Sequence, residues 1–404
     1  MNFYLVVRNM KYDCLIIGAG LVGLATAYQI LASDPHLKII ICEKENEPAF
    51  HQSGRNSGVV HSGVYYKPGS LKAKNCLEGR AELLRFAKER VKVQEIHKVI
   101  LAQTERETAY LLELEKRAQA NGVFGAEIIG PERLKEIEPF AKGAQALYLP
   151  HCQIIDYPAV AKELCQEIQK RGGEISFGEE IQEFKEETVL GSKREYAPKV
   201  VVNCAGLYSD KIAKACLGSA EHQILPFRGE YYLLREEKRS LVKGLIYPVP
   251  DPQFPFLGVH LTPMVNGKVE AGPNAILALA REGYRRTDFC LRDISDVLSY
   301  SGFWKMAGKY WKAGMYEMAR SLSKRLFVKD VQRLLPALEE SDLIPGGAGI
   351  RAQVVKKDGL LMDDFCIRED LRSIHVVNAP SPAATACFAI GKTIAEKALL
   401  RLHS

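Results

Sequence analysis

The chain has 404 residues, which is more than one ordinary hydrophobic core holds, so we expect two domains. Its 47% hydrophobic and 26% charged residues are typical of a soluble globular enzyme, and no apolar run approaches the ~20 residues needed to span a bilayer. The net charge of +6 is modest and does not call for nucleic acid, so we expect no nucleic-acid partner.

The N-terminal leader MNFYLVVRNM has a short apolar run and no small-residue cleavage site, so it does not predict a signal peptide. Met10 directly precedes the first predicted strand, and we expect translation to start at Met10 rather than at Met1. The ten cysteines include no C-x-x-C pair, which argues against a metal site. We expect no bound metal, and reduced thiols in a cytoplasmic protein.

The segment 12–44 is the most informative part of the chain, because a short apolar strand, a glycine-rich turn, a helix and a second apolar strand follow one another. Gly18 allows the tight turn, Gly20 lets the backbone approach a pyrophosphate, and Gly23 lets helix and strand pack closely. Glu43, at the end of the second strand, can accept hydrogen bonds from ribose hydroxyls. The turn therefore predicts a dinucleotide site, and its residues are Gly18, Ala19, Gly20, Leu21, Val22 and Gly23.

Three later segments favour FAD over a nicotinamide cofactor. The segment 48–66, directly after Glu43 and Lys44, is rich in Ser, Gly, Asn and Arg, as expected beside a cofactor that continues beyond its pyrophosphate. The segment 199–210 predicts a buried strand that ends in Ala205-Gly206, and 373–396 predicts a strand, a Pro/Ser turn and a helix. A nicotinamide enzyme does not usually return to its cofactor from the end of the chain, so we predict FAD.

These segments resemble the FAD-dependent D-amino-acid oxidase/glycerol-3-phosphate dehydrogenase superfamily over nearly the whole chain. Within it, the chain is most similar to the L-2-hydroxyglutarate oxidase/dehydrogenase group. The segments that carry this narrower resemblance are RNSGVVHSGVYYKPGSLKAKNC (55–76), RGEYY (228–232), FLGVHLT (256–262), GIRAQ (349–353) and NAPSPAATACFAIG (378–391). The resemblance implies oxidation of L-2-hydroxyglutarate, a small 2-hydroxy dicarboxylate, to 2-oxoglutarate. It also implies hydride transfer from Cα to flavin N5, with the electrons passed to a quinone or to oxygen.

The resemblance further implies a set of residues along the path from the ribityl chain to the flavin ring. Small residues there let backbone N–H groups reach the flavin acceptors. His61 allows a second interpretation, because some relatives attach FAD covalently through a histidine near this point, although non-covalent binding fits this segment better. The set is Arg55, Asn56, Ser57, Gly58, His61, Ser62 and Gly63, joined by Gly349, Ile350, Ser381, Pro382 and Ala383.

Oxidation of a 2-hydroxy acid needs a cation that holds the carboxylate and a base that takes the hydroxyl proton. Arg351 and Arg228 are the candidate cations, since a guanidinium can grip a carboxylate with two hydrogen bonds. Simpler interpretations are an ion pair of Arg351 with Asp358 or solvent contact, and an ion pair of Arg228 with Glu230. The partner of the distal carboxylate is left open between Arg228, Lys67 and Lys356.

His260 is the candidate base, because it lies in the alternating stretch 256–262, which predicts a strand of the second domain. His61 is the alternative base, and a core histidine bonded to backbone is the simpler interpretation of His260. The hydroxyls that could join the substrate site belong to Tyr65, Tyr231 and Tyr247, although packing is the commoner role of such residues.

The order of the predicted elements indicates an α/β plus α+β chain. We predict a Rossmann-like FAD-binding domain with an inserted substrate domain that contains an antiparallel sheet. The FAD-binding domain is discontinuous and comprises 1–90, 140–220 and 325–404, and the substrate domain comprises 91–139 and 221–324.

The segment 301–328 predicts a basic amphipathic helix that holds both tryptophans. One interpretation is a peripheral contact with the inner face of the cell membrane, where a quinone acceptor would be met. The other, commoner in proteins, is a surface helix whose apolar side packs on the core. The apolar side comprises Trp304, Trp311, Met315, Met318 and Leu322, and the basic side Lys305, Lys309, Lys312, Arg320 and Lys324.

Alternative functions lie within and outside this superfamily. A glycine- or sarcosine-oxidase-like enzyme would act on a neutral amine that needs no strong base, so dependence on His260 separates it from a hydroxy-acid enzyme. A glycerol-3-phosphate dehydrogenase would need a basic cluster for phosphate, and the sequence assigns none. A flavin-bearing binding module without turnover is an alternative of another class, and a nicotinamide dehydrogenase fits poorly.

Overall fold

The computed structural model of the chain describes residues 10–218, 221–251 and 257–404. The leader 1–9, on which the predicted start at Met10 depends, and Phe256 of the predicted strand 256–262 lie outside the described residues. The described strands, in chain order, are β1 (Met10–Ile17), β2 (Ile39–Glu43), β3 (Val59–Val60), β4 (Val93–Ala102), β5 (Glu127–Ile129), β6 (Gln145–Ile155), β7 (Glu174–Phe177), β8 (Ile181–Phe184), β9 (Val189–Gly191), β10 (Glu195–Asn203), β11 (His222–Leu234), β12 (Leu245–Pro248), β13 (His260–Pro263), β14 (Val269–Gly272), β15 (Ile276–Leu277), β16 (Leu343–Lys356), β17 (Cys366–Glu369) and β18 (Ser373–Asn378).

Helices cover both sheets that these strands form. The described α-helices are α1 (Leu21–Ser33), α2 (Leu71–Ala87), α3 (Glu105–Ala120), α4 (Pro131–Ile137), α5 (Tyr157–Lys170), α6 (Ser209–Leu217), α7 (Leu291–Leu298), α8 (Ser301–Leu322), α9 (Lys324–Gln332) and α10 (Cys387–Leu402). None of them has the length and apolarity needed to cross a bilayer.

The first sheet has the strand order β17-β18-β10-β1-β2-β7, with β9 paired to β10 and β8 to β9. The strands β18, β10, β1, β2 and β7 run parallel, so their carboxyl ends lie at one edge of the sheet. Ligands of open parallel sheets bind at this edge. The turn after β1, Glu43 at the end of β2, Ala205 after β10 and the 379–383 turn after β18 all reach it.

The first sheet is buried on both faces, as its nearly uniform apolar strands require. On one face, Ile16 and Ile41 pack with Leu24 of α1 and Phe388 of α10. On the other face, Leu15 and Ile40 pack in a smaller cluster around Tyr196. All ten cysteines are free thiols in the described chain, and several of them fill these cores as small apolar side chains.

The second sheet has the order β15-β11-β14-β13-β12-β4-β6-β3, with β16 paired to β11 and β5 to β6. Its neighbouring strands are antiparallel except for the parallel pair of β12 and β4. One face is covered by α9, whose Phe327 and Val331 pack on Ile246 and Leu261. The opposite face carries the polar residues described below.

The two sheets do not follow the predicted domain ranges strand by strand. β3, β6 and β16 lie within ranges assigned to the FAD-binding domain, yet they belong to the second sheet. The division into 1–90, 140–220, 325–404 and 91–139, 221–324 stays a prediction. A strand's own pattern shows its period but not the sheet in which it pairs, which is why such ranges are difficult to derive from sequence.

The predicted strand 256–262 is shorter in the structure than its pattern suggests. β13 begins only at His260 and continues to Pro263. The carbonyl of Gly258 lies 2.9 Å from His260 Nδ1 and accepts a hydrogen bond from this side chain rather than from a strand neighbour. Leu257, Gly258 and Val259 therefore precede the strand rather than belong to it.

The expectation that the apolar side of the 301–328 helix packs on the core is wrong. Trp304 and Trp311 are each 59% exposed, Met315 is 64% exposed and Leu322 is 72% exposed. Arg320, predicted on the exposed basic side, is instead buried and pairs with Glu317 and Asp330. The hydrophobic periodicity predicted the helix, but it did not show which side of the helix packs against the rest of the protein. The segment also divides at Ser323, which caps α9.

Candidate active site

The glycine-rich turn after β1 forms a tight cradle at the edge of the first sheet. Gly18 has a φ of +103°, and a Cβ there would lie 2.7 Å from the carbonyl oxygen of Cys204. A Cβ on Gly23 would lie 2.1 Å from the carbonyl oxygen of Gly18, so only glycine lets α1 pack this closely on the turn. Because α1 begins at Leu21 directly after Gly20, the positive end of its dipole faces the cradle.

A cavity of about 570 Å³ opens from this cradle and is of the size that small-molecule sites have. Its walls come from segments that follow β1, β2, β10 and β18. The predicted cofactor residues in its lining are Gly18, Gly20, Leu21, Val22, Glu43, Lys44, Ala205, Gly206 and Ala383. A single elongated ligand could therefore contact four segments that are distant in sequence.

Glu43 shapes the cradle and is available to a ligand as well. Its Oε2 accepts the Ala19 N–H at 2.7 Å, and its Oε1 accepts the Glu45 N–H at 2.9 Å. Each carboxylate oxygen has a second lone pair, so the buried carboxylate can also accept ribose hydroxyls. The cavity, the helix N-terminus and this acid together fit the pyrophosphate and ribose of a dinucleotide.

The predicted segment 55–63 lies beyond the cavity, next to β16. A Cβ on Gly349 would lie 2.5 Å from the carbonyl oxygen of Arg55, so β16, which includes Ile350, passes directly beside this loop. The Asn56 side chain bonds the carbonyls of Gln52 and Ser53 and accepts the Gly58 N–H, which fixes the turn. Ser57, Ser62 and Gly63 belong to the same loop, and Asn121 Nδ2 donates to the carbonyl of Gly63 at 3.0 Å.

His61 ties this loop to the C-terminal turn that holds Ser381, Pro382 and Ala383. Its N–H donates to Thr385 Oγ1 at 3.0 Å, and its Nε2 lies 3.3 Å from Ser381 Oγ. Its Nδ1 lies 3.5 Å from the Tyr66 hydroxyl. Desolvation, assisted by the charge of Lys98, lowers the pKa of His61 to about 3, so the imidazole is neutral.

His260 lies on β13 with its ring stacked on Tyr247, the two centroids being 4.0 Å apart. A carbonyl can only accept, so the 2.9 Å contact with Gly258 places the hydrogen on Nδ1 and leaves the lone pair on Nε2. Burial lowers the pKa of His260 to about 3; the Gly258 carbonyl opposes this, and the charges of Lys98 and Arg351 add to it. The backbone bond predicted for a core histidine is present, and it also prepares Nε2 to accept a proton.

Strand register places several polar side chains on the face of the second sheet that bears His260. On β13 and β14, Thr262 pairs with Glu270, and His260 pairs with Gly272. Leu261 pairs with Ile246 of β12, so Tyr247 points to the same side as His260. We call this side, with Lys98, Tyr247, His260, Glu270 and Arg351, the polar face.

Lys98, which is only 3% exposed, is a site residue that was not predicted from the sequence. Its Nζ lies 3.6 Å from the centroid of the Tyr247 ring and 4.6 Å from that of Tyr65. Burial lowers its pKa to about 8, and nearby Cys152 partly opposes that effect. A lysine inside the apolar run of β4 was the available signal, because lysine is rarely buried without a functional or structural reason.

The candidate cations differ in their surroundings. The Arg228 guanidinium contacts Glu230 at 3.1 Å and donates to the carbonyls of Arg285 at 2.9 Å and Gly283 at 3.4 Å, so it serves the fold, as its simpler interpretation predicted. Burial raises the pKa of Tyr231 to about 12, and the nearby charge of Arg351 partly offsets that rise. The charge of Arg351 also contributes to the lowered pKa of His260, so Arg351 is the predicted cation that the structure brings close to that histidine.

The other candidates for the distal carboxylate, Lys67 and Lys356, are exposed at the surface. The buried polar atoms near the polar face that have no hydrogen-bond partner in the described chain include the Tyr65 hydroxyl and Glu270 Oε2. Burial raises the pKa of Glu270 to about 7. Unpaired buried polar atoms are costly, which is consistent with a polar ligand between them.

Glu45, His51 and Glu282 lie close enough together to be considered as metal ligands. The Lys44 ammonium pairs with both carboxylates, at 2.9 Å from Glu45 Oε1. His51 Nε2 contacts the same oxygen at 2.9 Å. A single ammonium therefore already bridges the two acids, and we interpret the group as an ion-pair network at the edge of the cavity.

The chain is similar in sequence to a family of FAD enzymes and to several curated relatives. The family model described as FAD dependent oxidoreductase matches residues 13–397. The L-2-hydroxyglutarate dehydrogenase of Indibacter alkaliphilus is 48% identical over 398 residues, which cover 97% of this chain and 100% of that protein. The L-2-hydroxyglutarate dehydrogenase of Escherichia coli strain K12 is 41% identical over 97% of this chain and 94% of that protein. The mitochondrial L-2-hydroxyglutarate dehydrogenase of Homo sapiens is 40% identical, with coverages of 97% and 90%.

Solved structures share the fold. L-alpha-glycerophosphate oxidase from Mycoplasma pneumoniae with FAD bound has a TM-score of 0.77 at 23% identity, covering 98% of this chain and 95% of that chain. Glycine oxidase from Geobacillus kaustophilus has a TM-score of 0.72 at 16% identity, with coverages of 97% and 95%. At these identities the likeness concerns the fold alone, and it confirms the predicted fold class.

Proposed function

The chain belongs to the FAD dependent oxidoreductase family, and on that premise we propose that it oxidises L-2-hydroxyglutarate to 2-oxoglutarate. Relatives named L-2-hydroxyglutarate dehydrogenase match nearly the whole chain at 40% to 48% identity. Among this chain's own residues, the observation that carries the proposal is neutral His260 within reach of the Arg351 charge. A 2-hydroxy carboxylate requires such a pair of base and cation.

Residues at the carboxyl edge of the first sheet would hold FAD. The N–H groups at the start of α1 would receive the pyrophosphate, and Glu43 would receive the ribose hydroxyls. The loop 55–63 and the turn 381–383, joined through His61, would enclose the remainder of the cofactor. When bound, FAD supplies the acceptor for the hydride that leaves the substrate Cα.

His260 is proposed as the base that takes the hydroxyl proton. The Gly258 carbonyl holds Nδ1–H, so the lone pair on Nε2 is available, and the low pKa keeps the ring neutral before reaction. Both ring nitrogens of His61 face hydroxyl groups of the protein, at Ser381 and Tyr66, which favours His260 over His61 for this role.

Arg351 is proposed to hold the carboxylate next to the reacting carbon. A planar guanidinium that donates two parallel hydrogen bonds fixes the angle of that carbon, which a point charge does not. Its strand, β16, passes the loop 55–63 at Gly349, so the bound carboxylate would be held beside the predicted flavin path.

Product analysis tests this function. Purified protein is incubated with L-2-hydroxyglutarate and an artificial electron acceptor, and 2-oxoglutarate is quantified. Glycine, sarcosine and sn-glycerol 3-phosphate are run in parallel. Of these four compounds, we expect only L-2-hydroxyglutarate to be turned over. Faster turnover of an amine or of the phosphate ester would contradict the proposal.

The amine-oxidase and glycerol-3-phosphate alternatives are less well supported. The glycine oxidase and glycerophosphate oxidase structures share the fold at 16% and 23% identity, well below the 48% of the hydroxyglutarate relative. A module without turnover would not need a neutral histidine beside a guanidinium.

The exposed side of α8 is proposed as a peripheral membrane contact through which a quinone would accept electrons. Trp304, Trp311 and Leu322 expose apolar surface there, while Lys305 and Lys309 are exposed on the same helix. Interfacial tryptophans combined with lysines suit an anionic lipid surface. The opposing interpretation required this apolar side to be buried.

Flotation with phosphatidylglycerol vesicles tests the membrane contact. We expect the intact protein to float with the vesicles and the double variant Trp304→Ala, Trp311→Ala to stay behind. Phe124→Ala is the matched control, because Phe124 is 83% exposed in the loop between α3 and β5. Equal flotation of the double variant and the control, or no flotation of the intact protein, would contradict the contact.

A further inference from the structure

Lys98 is a buried cation that the proposed chemistry leaves without a role. It projects from β4 between the rings of Tyr65 and Tyr247, with its Nζ 4.6 Å and 3.6 Å from their centroids. No carboxylate of the described residues pairs with it. The two aromatic faces stabilise the ammonium, but burial without an anion is costly, so an anionic ligand would be strongly favoured here.

The surroundings place Lys98 at the reaction site. Tyr247 contacts the Lys98 ammonium and also stacks on the His260 ring, with centroids 4.0 Å apart. The charge of Lys98 contributes to the lowered pKa of both His61 and His260, after burial. Lys98 therefore lies near the two histidines that approach the substrate and the predicted flavin path.

We infer that Lys98 binds the distal carboxylate of the substrate and selects dicarboxylic 2-hydroxy acids over monocarboxylic ones. The inference rests on the proposed function. A substrate with two carboxylates meets two cations near His260, namely Arg351 and Lys98. The guanidinium fork suits the carboxylate whose angle must be fixed, and the compact ammonium suits the flexible far end.

The Tyr65 hydroxyl supports this assignment independently. It is buried, has no hydrogen-bond partner in the described chain, and belongs to one of the two rings that flank Lys98. A carboxylate held by Lys98 would give this hydroxyl an acceptor. The cations that the sequence suggested for this carboxylate are unsuitable, because Lys67 and Lys356 are exposed and Arg228 bonds Glu230.

The test compares L-2-hydroxyglutarate with L-2-hydroxyvalerate, which has the same five carbons but lacks the distal carboxylate. Lys98→Met keeps most of the length of the side chain and removes its charge. We expect kcat/KM for the dicarboxylate to fall at least about 100-fold, mainly through KM, while that for the monocarboxylate changes less than about 3-fold. Lys98→Arg should recover part of the selectivity, and the absorbance of bound flavin reports whether each variant is folded.

Similar losses on both substrates, or no loss on either, would overturn the inference while leaving the proposed function intact. No turnover of L-2-hydroxyglutarate by the wild-type protein would contradict the proposed function, and the inference with it. The two failures are therefore distinguishable in a single set of assays.

If Lys98→Met does not fold, the pH dependence of substrate selectivity in the wild-type protein tests the same inference. The ratio of kcat/KM for the two substrates cancels ionisations that affect both, such as that of His260. Of the groups that face Lys98, the two tyrosines and Cys152 have raised pKa values and the two histidines have pKa values near 3. The ratio should fall as the pH rises through about 8, where Lys98 loses its proton. A ratio that is constant from pH 6.5 to 9.5 would overturn the inference.

Discussion

Arg351 and Arg228 project from opposite faces of the second sheet, because Arg351 on β16 pairs with Phe227, the residue that precedes Arg228 on β11. The two arginines therefore cannot hold the same carboxylate. Arg351 lies on the face that carries His260, and Arg228 is bonded to Glu230 on the other. The sequence offered both as cations, and the strand register separates them.

Substitution of Arg351 should affect the reaction, and substitution of Arg228 should affect stability. Arg351→Lys keeps the charge but loses the fork, and we expect kcat/KM for L-2-hydroxyglutarate to fall about 100-fold or more with an unchanged melting temperature. Arg228→Met removes the hydrogen bonds of the guanidinium to Glu230 and to the carbonyls of Gly283 and Arg285, while Glu230 keeps Arg286, and it should destabilise the fold by roughly 1 to 3 kcal/mol. Steady-state kinetics and thermal unfolding of both variants measure these effects. A large kinetic loss in Arg228→Met together with near wild-type kinetics in Arg351→Lys would contradict the role assigned to Arg351.

Substitution of His260 should remove the chemical step and spare the cofactor. We expect His260→Asn to slow flavin reduction about 10²- to 10⁴-fold, because the hydroxyl proton then has no base. Stopped-flow reduction under anaerobic conditions measures the step directly, and the flavin spectrum before mixing reports cofactor content. His61→Asn is the comparison variant. Near wild-type reduction in His260→Asn together with a large loss in His61→Asn would make His61 the base.

Glu270 gives a stability prediction with a definite sign. Burial raises its folded pKa to about 7, above the usual carboxyl value of 4.5, so the folded state binds its proton more tightly. That contribution is complete below pH 4.5 and is lost as the pH rises through 7. Glu270→Gln stays neutral, so its free energy of unfolding relative to the wild type should increase by up to about 1.4 kcal/mol per pH unit across this range. Urea unfolding between pH 5 and 8 checks this, and a pH-independent difference would contradict the burial of this carboxyl.

Two glycines, one in the cradle and one on α8, should respond differently to substitution by alanine. A Cβ on Gly23 would lie 2.1 Å from the carbonyl oxygen of Gly18, so Gly23→Ala should push α1 off the turn and lose FAD. Gly308 on α8 has open space around it, so Gly308→Ala should retain FAD and stabilise the helix by about 1 kcal/mol. Flavin content after gel filtration measures FAD retention in the two variants, and thermal unfolding measures the stabilisation in Gly308→Ala. Full flavin content in Gly23→Ala would show that this turn does not hold the cofactor.

Local patterns were the part of the structure that sequence predicted well. Gly18, Gly23 and Glu43 follow from the spacing of one turn and one strand, and the structure places them where that spacing requires. The fold class was predictable for the same reason, since the glycine-rich turn between two apolar strands specifies a parallel unit.

Long-range pairing was the part that sequence did not show. Lys98 becomes important only because β4 pairs with β12 and brings it to Tyr247, some 150 residues away in the chain. The amphipathic pattern of α8 predicted a helix, but nothing in its period showed that Trp304 and Trp311 would face outward. The position of Lys98 and the orientation of α8 depend on which element each segment packs against, and a single sequence does not specify those partners.

Anaerobic mixing of the purified protein with L-2-hydroxyglutarate tests the central claim most directly. The absorbance of oxidised flavin at about 450 nm is followed in the stopped flow, with the D enantiomer as the matched control. The account predicts rapid bleaching with the L enantiomer and none with the D enantiomer. A yellow protein that is not bleached by L-2-hydroxyglutarate, but is bleached by glycine or sarcosine, would contradict it.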